Sequence, residues 1–157
     1  MTTLCDDTIR SLRLVTPFHE RTEACGLTFG VGPCGYDVRI AETAILKPGD
    51  VALASTIEYF EIPDNVEGET KNKSTWARQF LWSPNTVLES GWNGFLTLEL
   101  ANFSDRVIWI PAGCPIVQIK FTFLDHKAGK PYKGRYQNQA AGPQVARFLE
   151  QGELEFL

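Results

Sequence analysis

Asn93-Gly94-Phe95-Leu96-Thr97-Leu98-Glu99-Leu100 carries the fold assignment. Asn-Gly is a strong tight-turn signal, and the six residues after it alternate. Successive side chains of a strand point to opposite faces, so Phe95, Thr97 and Glu99 share one face and Leu96, Leu98 and Leu100 the other. Three leucines mark the second face as the one turned to the core. Glu99 is thereby directed at solvent, an interface or a cleft.

Upstream, Val51 to Ile62 reads as a strand between a Lys47-Pro48-Gly49-Asp50 turn and Pro63-Asp64-Asn65. Downstream come Val107-Ile108-Trp109-Ile110, a Pro111-Ala112-Gly113 turn and the alternating run Ile116 to Phe123. Leu27 to Leu46 is rich in Gly, Val and Ile, with turn residues at Gly32-Pro33 and Gly35. Helical signals are brief. Asp6 or Asp7 is placed to cap a helix through Leu12, with Ile9 and Leu12 on one face, and Ser74 to Leu81 reads as one short helix. Val66 to Lys73 is polar and charged, which predicts a loop. From about residue 125 the chain becomes a polar, Gly- and Gln-rich tail, predicted flexible, with a last helical turn at Phe148-Leu149-Glu150. Many short strands with few helices predict an all-β fold, a distorted barrel or double-sheet jelly roll, and 157 residues suit a single domain.

Charge and composition narrow the function. A net charge of -4 argues against binding duplex nucleic acid, which wants a basic excess, but leaves room for a small anionic ligand. No run approaches the ~20 apolar residues of a membrane span, and the polar, acidic N-terminus is unlike a signal peptide. Cys5, Cys25, Cys34 and Cys114 form no Cys-x-x-Cys pair, so reduced thiols in a cytoplasmic protein are expected. Zinc nucleobase deaminases need His-x-Glu and Pro-Cys-x-x-Cys. Here His19 is followed at the second position by Arg21, and Cys114-Pro115 has no second cysteine at that spacing, so no zinc is expected. Gly-x-Gly-x-x-Gly and Walker sequences are missing as well.

Three clusters have chemical potential. Ser74-Thr75-Trp76-Ala77-Arg78, with Lys71 and Lys73 beside it, offers hydroxyls, cations and a helix N-terminus to a phosphate. The same spacing suits a capped surface helix with solvated lysines. Glu99, partly desolvated, would have a raised pKa and could shuttle protons; fully exposed, it is an ordinary surface carboxylate. Tyr132-Lys133-Gly134-Arg135-Tyr136-Gln137-Asn138-Gln139 brings aromatic, cationic and amide groups together on the tail, as a flap over a nucleotide or as a solvated segment.

The order of these clusters resembles dCTP deaminase, a family of the trimeric dCTP deaminase/dUTPase group. Gly49 to Glu58 is similar to the family strand ahead of its first motif, and Lys73-Ser74-Thr75-Trp76-Ala77-Arg78 resembles basic-Ser-Ser-x-Ala-Arg. Glu89-Ser90-Gly91-Trp92-Asn93-Gly94 through Leu98-Glu99 resembles Asp-Pro-Gly-Trp-x-Gly…Leu-Glu. Pro111 to Ile116 is close to a late Pro-Gly turn, and Tyr132, Arg135 to Gln139 and Gly142-Pro143 are similar to a phosphate-binding tail.

The resemblance implies hydrolysis of dCTP to dUTP and ammonia by a cytoplasmic homotrimer, acting in host cytoplasm if phage-encoded, with sites between subunits. Glu99 falls on the catalytic glutamate, and Ser74 and Arg78 on residues that order water and stabilise the reacting centre. Glu89 and Trp92 match the deoxyribose-contacting segment; Lys73, Ser74, Thr75, Tyr132, Arg135 and Gln139 match triphosphate contacts. Mg2+ is implied on the triphosphate, with no metal at the deamination centre. Departures are Glu89 for aspartate, Ser90 for proline, Lys73 for arginine, and Pro84-Asn85-Thr86 where base-pocket residues usually read Thr-Ala-His or Thr-Ala-Gly. They keep open a dUTPase or bifunctional enzyme, a deaminase of dCMP or a 5-substituted dCTP, binding of dUTP or dTTP, and a non-enzymatic nucleotide-binding relative. The usual dUTPase tail Arg-Gly-x-x-Gly-Phe-Gly is missing.

Overall fold

The computed structural model describes residues 2–84 and 86–148. In chain order its elements are β1 (Thr2–Thr3), α1 (Asp6–Leu12), β2 (Val15–Thr16), β3 (Thr22–Ala24), β4 (Leu27–Gly32), β5 (Gly35–Arg39), β6 (Ala44–Leu46) and β7 (Val51–Glu61). They continue with β8 (Val66–Asn72), α2 (Ser74–Ala77), β9 (Leu81–Trp82), β10 (Val87–Leu88), β11 (Asn93–Asn102), β12 (Ile108–Ile110) and β13 (Pro115–Phe123). One sheet runs β10-β8-β13-β5-β4-β3 with β1 beside β13; a second runs β2-β7-β11-β9; β12 and β6 form a two-stranded pair. The sheets curl around a core that includes Tyr36, Phe60, Leu98, Leu100, Ile119 and Phe121. This is the all-β distorted barrel that the alternation predicted. No helix of the described residues is long and apolar enough to cross a membrane.

The pairing of β7 with β11 sets the faces. Leu98 lies opposite Ala54 and Leu100 opposite Ala52, both leucines buried, while Glu99 stands opposite Leu53 on the outer face. Between Phe95↔Tyr59 and Thr97↔Ser55 the register shifts, leaving Thr56, Ile57 and Glu58 opposite Leu96 alone. The Thr56 hydroxyl holds this bulge, donating to the Glu58 carbonyl at 2.8 Å and accepting from the Leu96 amide at 3.0 Å. The bulge turns the wholly buried Glu58 carboxylate toward β5. There it accepts from Arg39 Nε at 2.8 Å and from the Arg39 amide at 2.9 Å. The Arg39 guanidinium also lies 4.5 Å from the Phe29 ring centroid and 3.2 Å from His19 Nε2. One buried ion pair thus joins the two large sheets.

Five sequence expectations are corrected. Residues 66–72 form β8 rather than a loop: Val66, Gly68 and Thr70 face inward and Glu67, Glu69 and Lys71 outward, a strand alternation masked by its small and polar inward residues. The second helix stops at Ala77, because the chain takes a left-handed turn at Phe80 (φ 59) before Leu81 enters β9. Asp6 and Asp7 do not cap α1; Cys5 holds that position and the aspartates occupy the first turn, where they complement the helix dipole. Only Ile9 of its expected apolar pair is buried. Asn93-Gly94 opens β11 instead of forming a turn.

The thiol expectation also fails in part. Cys25 and Cys114 form a disulfide, and Cys5 and Cys34 are free. The β3–β4 turn lies over the start of β13 and brings the two Cα atoms to 5.5 Å, within bridging range, although 89 residues separate them in sequence. Of the predicted terminal turn, Phe148 is not helical, and Leu149 and Glu150 lie outside the described residues.

Removing one partner of a buried ion pair leaves an uncompensated charge, which costs about 3–5 kcal/mol. Glu58→Ala is therefore expected to lower unfolding free energy by that amount in urea titrations. A loss below about 1 kcal/mol would mean that the Arg39–Glu58 pair does not tie the sheets together.

Candidate active site

Glu99 reaches its surroundings because β11 must bury its leucines. Its carboxyl lies on the wall of a cavity of about 490 Å³ lined also by Thr86, Glu89, Trp92, Thr97, Tyr132 and Gln139. A second, apolar groove of about 250 Å³, with Val51, Leu53, Trp82 and Pro84, borders the same carboxyl. Burial among these groups pushes the Glu99 carboxyl above the ordinary glutamate range, only partly offset by a backbone hydrogen bond. A carboxyl with its proton affinity raised in this way is suited to accept and return a proton.

The tail closes one side of that cavity through specific bonds. Trp92 Nε1 donates to the Tyr136 carbonyl at 2.6 Å, and the Tyr132 amide to the Ser90 carbonyl at 2.7 Å. The Gln137 side chain spans the gap, accepting from the Asn93 amide at 2.8 Å and donating to the Gly91 carbonyl at 2.7 Å. Gly94 makes a parallel bridge to Gln139, and the Phe95 amide donates to the Gln139 carbonyl at 3.0 Å. Gly94 sits at φ +150, and a Cβ there would lie 2.7 Å from the Gln139 amide nitrogen, so only glycine lets the tail approach this closely. Gln139 Nε2 donates to the Thr97 hydroxyl at 2.7 Å, next to Glu99 on the outer face.

Ser74, Thr75 and Lys73 line a different cavity, of about 470 Å³, with Arg21, Thr28 and Asp37 among its other residues. The α2 helix beside it has only four residues, so its dipole gives little to an anion and the polar side chains must do the work. Lys73 Nζ is 2.6 Å from Asp37 Oδ2, with both side chains nearly buried, and Lys71 is paired with Glu69. Arg78 is exposed at the end of α2 and borders neither of these two cavities. Arg135 donates to the Arg147 carbonyl and also stands outside both. Asn85 lies outside the described residues.

Of the residues expected at a site, one chain therefore gathers Glu99, Thr86, Glu89, Trp92, Tyr132 and Gln139 in one cavity, and Lys73, Ser74 and Thr75 in another. Thr97 joins the Glu99 cavity as well, as its place two residues earlier on the same strand face allows. Arg21, Thr28 and Asp37 had no local signal, because only the packing of β4 and β5 beside β8 and β13 brings them to Lys73.

The sequence pattern described as dCTP deaminase-like matches residues 35–124, more than half of the chain. The chain belongs to the dCTP deaminase-like family. The dCTP deaminase of Pyrococcus furiosus is 33% identical over 149 residues, spanning 85% of this chain and 90% of that protein. That of Thermococcus kodakarensis is 35% identical over 141 residues, spanning 85% and 91%. Among solved structures, the EIAV dUTPase superposes with a TM-score of 0.58 at 16% identity, covering 78% of this chain and 97% of that one. The Staphylococcus bacteriophage 80alpha dUTPase gives 0.56 at 17%, covering 76% and 92%. A phage phi11 dUTPase mutant, described with a structural Mg(II) ion, gives 0.53 at 19%, covering 65% and 84%. At such identities the dUTPase likeness concerns the fold alone. In this dCTP deaminase-like chain the matched segment holds Ser74, Arg78 and Glu99, while Tyr132, Arg135 and Gln139 follow it.

Because the Glu99 carboxyl binds its proton more tightly in the folded chain than in the unfolded one, its stabilising contribution is complete below the unfolded pKa of ~4.3 and is lost as pH rises through the folded value. Glu99→Gln is uncharged at every pH. It is expected to be more stable than the wild type at pH 7, with the difference vanishing toward pH 4 in urea midpoints. An equal midpoint at both pH values would remove the case for a destabilised carboxylate.

Proposed function

We propose that this dCTP deaminase-like protein hydrolyses dCTP to dUTP and ammonia. The observation that carries the reading is Glu99: a partly buried carboxyl, its proton affinity raised, on the wall of a cavity that also holds Trp92 and Tyr132. Hydrolysis at carbon 4 of cytosine needs a base for the attacking water and an acid for the departing amine. Glu99 accepts a proton as the water oxygen bonds to carbon 4 and passes it to ring nitrogen N3; it then takes the remaining hydroxyl proton and gives it to the amino nitrogen as the bond from carbon 4 to that nitrogen breaks, leaving a carbonyl at carbon 4 and releasing ammonia. Ser74 and Arg78 orient the water and offset charge on the ring, the kind of preorganised electrostatics worth a few kcal/mol per donor. Glu89 and Trp92 face the deoxyribose, and Thr86 the base. The triphosphate meets Lys73, Ser74, Thr75, Tyr132, Arg135 and Gln139.

Such an assignment asks Glu99 to work with Ser74 and Arg78, which do not border the Glu99 cavity within one chain. A homotrimer whose neighbouring subunit supplies them resolves the separation. Exposed apolar residues beside Glu99, among them Val51, Leu53 and Trp82, support a subunit contact there. In the 470 Å³ cavity the carboxylate of Asp37 is already bound to Lys73, and the remaining polar side chains are mostly hydrogen-bond donors suited to phosphate oxygens. Mg2+ would then be held by the triphosphate rather than by these side chains, and would offset the phosphate charge. We place the enzyme in the cytoplasm, where its substrate is met.

Two experiments test the reading. Incubation with dCTP and Mg2+, followed by ion-exchange chromatography and an ammonia assay, is expected to give dUTP and ammonia, and Glu99→Gln to give neither while still binding dCTP. Ammonia with dUMP and pyrophosphate would make the enzyme bifunctional; no ammonia would defeat the proposal. Separately, Glu99→Gln and Arg78→Ala are each expected to be inactive alone and to regain activity when co-expressed, since mixed trimers contain sites with both native residues. Failure of mixed assemblies to regain turnover would place both groups in one chain.

A further inference from the structure

We propose that Arg21 is a phosphate-contacting residue that fixes the preference for a triphosphate, an inference that rests on the reading of the Lys73–Ser74–Thr75 cavity as the triphosphate site. Lys73 cannot supply that cavity with net charge. Its ammonium lies 2.6 Å from the Asp37 carboxylate, with both side chains largely shielded from water, so the two charges cancel where they stand. Among the described residues lining this cavity, Arg21 is the cation engaged in no ion pair. Its Nη2 donates to the Thr28 hydroxyl at 3.3 Å, and Lys73 Nζ approaches the same hydroxyl at 3.4 Å. The guanidinium and the neutralised ammonium thus meet across one threonine, beside Ser74 and Thr75.

The backbone around Arg21 is held for this role. The His19 carbonyl accepts from the Val31 amide at 3.0 Å, and Gly30, at φ +89, leaves room for the chain to pass: a Cβ there would lie 2.5 Å from the Glu20 carbonyl oxygen. Glu20, the neighbouring carboxylate, is occupied by Arg10 through two bonds of 2.7 and 3.0 Å, so it does not draw Arg21 away. The far end of the β3–β4 hairpin is fastened to the start of β13 by the Cys25–Cys114 disulfide. An exposed arginine on so fixed a wall presents a planar fork of donors, which matches a phosphate in bidentate geometry better than a lysine does.

The test is calorimetric titration of the full-length wild type, Arg21→Ala and Arg21→Lys with dCTP, dCMP and inorganic tripolyphosphate, paired with steady-state kinetics on dCTP. Arg21→Ala is expected to weaken dCTP and tripolyphosphate about tenfold to hundredfold, as loss of a charged hydrogen bond does, with dCMP little changed. The loss should fall on KM rather than on kcat, and Arg21→Lys should recover part of it. Because the side chain is exposed, an unchanged melting temperature is expected to accompany the loss. Wild-type affinity for both polyphosphates retained in Arg21→Ala would overturn the proposal. If the wild type bound tripolyphosphate in an Arg21-dependent way but neither bound nor turned over dCTP, the deaminase reading would fail while the phosphate role stood.

Discussion

The antiparallel ladder between β7 and β11 is the constraint from which the rest follows. A strand that buries Leu96, Leu98 and Leu100 must turn Thr97 and Glu99 outward, and the register opposite β7 then fixes what surrounds the carboxyl. The same ladder contains the bulge at Thr56-Ile57-Glu58, which sends a second glutamate inward to Arg39. Two acids on adjacent strands thus meet opposite fates. Glu58 is wholly buried and compensated by a guanidinium; Glu99 is half-buried, with no ion-pair partner among the described residues, and so holds its proton more tightly.

The separation of the candidate residues into two cavities has a simple electrostatic logic. The cavity around Glu99 is largely apolar and is lined by aromatic rings and amides as well as the carboxyl. The cavity around Ser74 offers hydroxyls and cations to an anion.

The sequence made some of this legible and hid the rest for identifiable reasons. The outward direction of Glu99 follows from period-two alternation alone, because the inward positions are all leucine. β8 is not legible in the sequence because its inward positions are Val66, Gly68 and Thr70, a pattern too weakly apolar to outweigh the charges at Glu67, Glu69 and Lys71. Asn93-Gly94 misled because the glycine serves the approach of Gln139 rather than a turn. The Lys73–Asp37 pair, the Arg39–Glu58 pair and the Cys25–Cys114 bridge join residues far apart in the chain, and no local pattern encodes such partners. The family resemblance supplied order and roles for the motifs, but not these tertiary neighbours.

The alternation of β11 also separates two kinds of selection. Substitutions on its inner face change packing in a closed core, where even one methylene matters, and are removed as folding defects. Substitutions at Thr97 and Glu99 leave that inner packing alone and change the wall of the cavity. One barrel can thus carry different chemistry on its outer face while its inner face keeps the same packing.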